Sequence, residues 1–314
     1  MHTQRIGIVT TVCFAILPAL LSSCVQPEVN SVMNENTNEL QRSAPDIESI
    51  GNATFSGIYD QPLTMTDGRW EGEPFVPDGT SRPTAGLAAD LYLSGDIDGD
   101  GQNEAVVILW ENSGGSGSYS YVTVVGWRDG QVENIGTARI GDRVQIRDAH
   151  LDTQHIVLQV IQQGPDDTAC CPSQMATRTW LMRADELLEG GAVIDGTLSA
   201  DDLEGETWRL LEMSHDKPVP QTAAVTLVFD DFRVSGQGPC NRYFADFETG
   251  DFPGSIEFGQ AGATQMACST TVMEFEQQYF QALSGVNKYG FSMGRLALTW
   301  VYEEQWNTML FEVK

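Results

Sequence analysis

Short β-branched and aromatic runs recur along this chain, each stopped within a few residues by Gly, Asp, Asn or Pro. Runs of roughly four to eight such residues between turn formers read as strands, so the pattern predicts a mainly antiparallel β structure. In the first half the expected strands are 63–66, 105–110, 119–127, 144–149, 156–161 and 177–182. Arg128-Asp129-Gly130 is a tight-turn signal. Only 184–188 suggests a helix there, and the Ser-, Gly- and Asp-rich stretch 189–202 reads as a linker. In the second half the runs are 208–213, 225–229, 232–235, 243–247, 255–258, 296–302 and 308–313. One helix interrupts them. Thr271 and Glu274 have capping-box spacing, Val272, Phe275, Tyr279 and Leu283 follow on one face, and Gly285 is a stop signal. A single amphipathic helix among antiparallel strands adds α+β character, with the helix covering a curved sheet. The expected organisation is an N-terminal β-rich domain over 51–195 and a second domain over 203–314.

Ahead of these lies a leader. Arg5 precedes an apolar core, 6–20, broken by Pro18. It is too short to span a bilayer and has the build of an export signal. Leu21-Ser22-Ser23-Cys24 then resembles the lipobox of bacterial lipoproteins. The resemblance implies removal of 1–23 as a signal peptide and lipidation of Cys24, which holds the chain at the cell envelope. The alternative is a plain secretory signal with an incidental cysteine. Residues 24–50, rich in Asn, Glu and Ser and without aromatics, read as a flexible tether. Val25 stands where Asp would mark inner-membrane retention in some lipoproteins, which by that analogy favours the outer membrane.

The formal charge is −27, and lysine occurs only at Lys217, Lys288 and Lys314. Such a surface repels phosphate backbones, so nucleic acid is not an expected partner. The expected partners are the membrane, through the anchor, and an envelope protein or small-molecule ligand.

With Cys13 in the leader and Cys24 as the lipid site, Cys170, Cys171, Cys240 and Cys268 remain. An even number in an oxidising compartment predicts disulfides. Joining Cys240 to Cys268 closes a loop of about 30 residues and stabilises by roughly 3–4 kcal/mol on the chain-entropy model. Cys170 and Cys171 can bond each other or pair elsewhere, and four cysteines allow three pairings. That adjacent pair reads as a redox sensor, a flat contact patch, or simply two buried small side chains.

Gly238-Pro239-Cys240-Asn241-Arg242-Tyr243, followed by Thr264-Gln265-Met266-Ala267-Cys268, a helix and a terminal hairpin, resembles the META (HslJ-like) domain. Gln265 departs from that pattern, which has Arg there. The resemblance covers about 110 residues. It implies a stress-related envelope protein, associated with heat stress and novobiocin tolerance, with no established catalysis. In the first half the order of GDIDGDG (95–101), ENSGGSG (111–117), GDRVQI (141–146) and CCPSQ (170–174) resembles an uncharacterised N-terminal module that accompanies META domains in some bacterial lipoproteins.

Asp96, Asp98, Asp100 and Glu104 occupy positions 1, 3, 5 and 9 of a loop with Gly101 at position 6. Alternate carboxylates around a glycine suit a hard cation, and a structural Ca2+ is the expected cofactor. Position 12 is Val107, so the loop is not an EF-hand; leading into a strand, it resembles the calcium loops of FG-GAP-type β proteins. The alternative is a metal-free, solvated acidic turn. For catalysis, Asp148 and His150 alternate on one strand face and have the makings of an acid–base pair. No phosphate loop or dinucleotide fingerprint is present. The chain is therefore expected to be a non-enzymatic binding or interaction module; the alternative is a periplasmic metal-assisted hydrolase using Asp148 and His150.

Overall fold

The computed structural model describes residues 43–314 apart from 116, 169, 215, 216, 221 and 222. The leader, Cys24 and most of the expected tether lie outside the described residues. At the end of the tether, α1 (Ile47–Ile50) is capped by Asp46, whose side chain accepts from the Ser49 N–H at 2.8 Å. Ile50 is fully buried and the Tyr92 hydroxyl donates to the Pro45 carbonyl, so these residues belong to the folded body.

A small ribbon of β1 (Thr54–Phe55) and β2 (Leu63–Thr64) comes first. β3 (Arg69–Glu71), β4 (Thr84–Gly95), β5 (Glu104–Asn112), β6 (Tyr119–Arg128) and β7 (Gln131–Asp142) then form one antiparallel sheet in chain order. A second sheet has the order β11-β10-β9-β8, from β8 (Gln145–Asp152), β9 (His155–Gln162), β10 (Gln174–Arg183) and β11 (Glu186–Thr197). The two sheets share a core in which Val106, Ile108, Val122 and Val124 meet Ile146, Ile156, Leu158 and Trp180. The opposite face of β5 and β6 packs Val107, Leu109 and Val125 against Ile50, Phe55, Leu63 and Met65. Both faces of β5 are thus covered, which is why it is written as an unbroken apolar run and not as an alternation.

The rest of the chain builds a third sheet. Its strands are β12 (Trp208–Ser214), β13 (Lys217–Pro218), β14 (Thr226–Asp230), β15 (Arg233–Gln237), β16 (Arg242–Thr249), β17 (Ile256–Phe258), β18 (Gly262–Ala263), β19 (Val286–Ser292), β20 (Arg295–Tyr302) and β21 (Gln305–Val313). The order is β17-β16-β15-β14-β12-β21-β20-β19, with β13 beside β12 and β18 beside β16. The final strand therefore sits between β12 and β20. The sheet curls until its ends meet, where Tyr289 N–H donates to the Gly254 carbonyl at 2.7 Å. The helix α2 (Thr270–Ser284) buries Tyr279, Ala282 and Leu283 against a core that includes Trp208, Phe229, Phe247 and Phe311.

The β8–β11 sheet touches this third sheet: Gly294 N–H donates to the Ile146 carbonyl at 3.0 Å, and the Arg147 guanidinium lies 5.4 Å from the Phe291 ring centre. From the first sheet, Asp90 of β4 pairs with Arg295 at 2.9 Å.

The antiparallel, single-long-helix architecture matches the expected fold class. Local readings differ in places. The expected helix at 184–188 is a turn, with Ala184 at φ 51°, leading into β11. The expected linker is largely strand as far as Thr197, then a 3-10 turn over Ala200–Leu203 that buries Leu203. Pairing along the whole of β10 overrides the weak local preference of these residues. The same cause made β4, β7 and β19 strands despite their Ala, Gly and polar content. The long helix starts at Thr270, one residue before the expected cap, and Ser269 caps it without a side-chain bond; Gly285 closes it as expected.

Candidate functional site

The acidic loop joins β4 to β5, whose last paired residues are Gly95 and Glu104. Its carboxylates first shape the loop itself. Asp96 accepts from the N–H of Gly99 (2.8 Å) and Gly101 (3.2 Å), Asp98 from Asp100 (3.1 Å), and Asp100 from Gln102 (2.8 Å). Gly99 and Gly101 have φ of 83° and 85°, values that a side chain would strain. Ile97 is buried in the core and plugs the loop to it.

Asp96, Asp98 and Glu104 each bring one oxygen within 4.8 Å of the others. Asp100 is not in that trio: it lies 3.6 Å from Arg128, whose other terminal nitrogen is 2.5 Å from Asp98. Glu104 is fully buried. One of its oxygens accepts from the Ile97 N–H at 2.9 Å, and the other, Oε1, has no hydrogen-bond partner among the described residues. Burial pushes its carboxyl above the usual carboxylate range; the Ile97 N–H opposes this, and the charges of Asp98 and Asp100 add to it. A buried, under-bonded carboxylate beside two others needs a proton or a cation. Three converging hard oxygens are donors of the type that a divalent ion of the calcium class takes, and Asp96, Asp98 and Glu104 are the residues that could hold one. Val107 is fully buried in β5, out of play as a twelfth-position ligand.

Asp148 and His150 do meet, with Nδ1 and Oδ2 2.8 Å apart. Both side chains are 52% exposed, and neither lines the clefts at Arg178, Arg147, Gly51, Ser199 or Phe280.

Cys170 and Cys171 are bonded to each other. The turn carrying them is pinned by Asp167, which accepts from Gly164 N–H (2.7 Å), Ser173 N–H (2.7 Å) and the Ser173 hydroxyl (2.6 Å). Desolvation pushes the Asp167 carboxyl up, but those bonds outweigh it and hold the group below its ordinary value. Asp167 also lines a cleft of about 610 Å3 with Arg143, Gln162 and Arg178. Arg178 is spoken for: its guanidinium forks onto Glu189 at 2.8 and 2.9 Å and donates to the Ile140 carbonyl.

Cys240 and Cys268 are bonded, with Cα atoms 6.1 Å apart. Around them the Gly238–Tyr243 segment forms a buried knot. Glu276 of α2, only 5% exposed, accepts from the N–H of Cys240 (3.0 Å) and Asn241 (2.6 Å) and from the Asn241 amide (2.7 Å). The Asn241 oxygen in turn accepts from the Thr264 hydroxyl (2.9 Å) and Met266 N–H (2.7 Å). At Gly238 a Cβ would lie 2.9 Å from the Asn241 carbonyl and 3.0 Å from Glu276 Oε1, so any side chain would push the knot apart. The Tyr243 hydroxyl donates to the Thr226 carbonyl and meets the Tyr279 hydroxyl at 2.6 Å. Gln265, at the position where the resemblance has Arg, is exposed.

The META domain family model matches residues 201–313. The C-terminal segment carries a META domain. A solution structure of a protein from Burkholderia xenovorans is similar at 27% identity, covering 36% of this chain and 85% of that one, with a TM-score of 0.30. No curated protein matches the chain. In this META segment the motif residues Gly238, Cys240 and Asn241 all serve the knot. Glu276 was not singled out from the sequence. The available signal was a carboxylate lying on the apolar stripe of its helix.

Proposed function

We propose that this is a lipid-anchored protein of the bacterial envelope, stress-related, acting by binding a partner or ligand and not by catalysis. In this reading Cys24 holds it at the membrane, a calcium ion at Asp96, Asp98 and Glu104 stiffens the β4–β5 loop, and the META segment is the interaction module. One observation carries the reading: the buried Asn241 side chain at the centre of the META motif is consumed by hydrogen bonds to Glu276 of α2, to the Thr264 hydroxyl and to the Met266 N–H. A group whose lone pairs and protons are already engaged inside the fold serves shape, not turnover.

The test is complementation of envelope-stress survival in cells lacking the protein. Full-length chain carrying Asp148→Asn with His150→Gln is expected to restore growth as the parent does, whereas Cys24→Ala is expected to fail. A folded double variant that cannot restore growth would replace this reading with the hydrolase one.

A further inference from the structure

On the META segment, α2 and the β17–β18 edge border a cleft of about 550 Å3. Its lining contains no ionisable side chain, although the chain as a whole carries 44 acidic and 17 basic residues. Four further cavities of the fold, by contrast, each include at least one carboxylate. Gln277 and Gln281 stand one turn apart on α2, Ser284 follows, and Gln260 faces them from the loop after β17. None of the three glutamine amides is hydrogen-bonded to another described residue, while the Ser284 hydroxyl donates to the Gln281 carbonyl at 2.9 Å. Phe258 and Phe280 supply the apolar wall. Phe280 is held in place edge-on to Tyr243, with ring centres 5.4 Å apart, and is only partly covered.

We infer that this cleft binds a neutral saccharide. An uncharged lining offers no ion pair to a phosphate, a carboxylate or an amine. Each free glutamine amide provides two donors and an acceptor, the complement that adjacent sugar hydroxyls require. An aromatic ring takes the apolar C–H face of a pyranose, and the volume falls within the range of small-ligand sites. The inference names the ligand class for the binding module proposed above and rests on that reading.

Calorimetric titration of the full chain with maltohexaose and chitohexaose tests it. At least one is expected to bind saturably below about 10 mM. Gln277→Ala with Gln281→Ala is expected to weaken binding about tenfold or more, as the loss of two hydrogen bonds predicts. Both positions are exposed on a helix that alanine favours, so the melting temperature should hold. Binding of neither sugar, undiminished binding by the double variant, or displacement by an uncharged peptide would overturn the inference. If sugar binding is absent while the Asp148/His150 variant still restores growth, only this inference falls.

Discussion

The side-chain oxygen of Gln145, at the start of β8, accepts a hydrogen bond from the Phe291 N–H in β19 at 2.8 Å, joining residues 146 apart in the chain. With the Ile146–Gly294 bond and the Arg295–Asp90 pair beside it, this contact makes the β-rich half and the META segment lean on each other. The expected consequence is one cooperative unfolding transition for residues 43–314, the same by tryptophan fluorescence and far-ultraviolet dichroism. Gln145→Ala should cost about 1–2 kcal/mol, because it leaves the Phe291 N–H without its partner. Two separate transitions in the parent protein would contradict this.

Calcium should stabilise the protein through a binding term of about 2.7 kcal/mol at a hundredfold excess over its dissociation constant. Asp96→Asn with Asp98→Asn should remove that gain. A melting curve indifferent to chelator in the parent protein would dispose of the calcium reading.

Glu104 gives the same loop a pH signature. Its folded pKa is raised, so without a cation the native state binds a proton more readily than the unfolded chain does. Stability should therefore rise as pH falls through the folded pKa and level off below the ordinary carboxylate range. Saturating calcium should flatten or invert that slope. Glu104→Gln should melt no lower than the parent in chelator yet gain nothing from calcium; a loss of stability in chelator would mean that the charged form is satisfied by the protein alone.

The two disulfides should behave differently. Replacing Cys240 and Cys268 by Ser should cost roughly 3–4 kcal/mol in urea unfolding, since their bond closes a long loop. Replacing Cys170 and Cys171 by Ala should cost about 1 kcal/mol or less, because neighbours are hardly freed by cutting the bond between them. Equal losses would show that the vicinal pair does structural work in the turn around Asp167.

Glu276→Gln should destabilise by about 2–3 kcal/mol. The amide retains one acceptor where three N–H groups converge and aims its own N–H at another donor. An unchanged urea midpoint would remove the knot from the account of the META motif.

Strands with apolar neighbours on both faces were legible. Ala105 to Leu109 and Ile156 to Ile161 read as strands because burial selects their residues. β11 was not legible: apart from Leu187 it is exposed along its length, so solvent leaves no periodicity, and only its pairing with β10 makes it a strand. The cation trio was partly legible. Spacing brought out Asp96, Asp98 and Glu104, but the pairing of Asp100 with Arg128 depends on a residue at the far end of β6, brought close only by the sheet. Glu276 looked like one more acidic residue of an acidic chain, because its partners at Cys240 and Asn241 lie far back in the sequence.

The place of β21 between β12 and β20 makes the META sheet depend on a single strand. Take it away and both neighbours lose a partner at once, which leaves two open edges, each a template for pairing with another chain. Deletion of 305–313 should accordingly behave as a folding failure that ends in aggregation, and not as a mild trim.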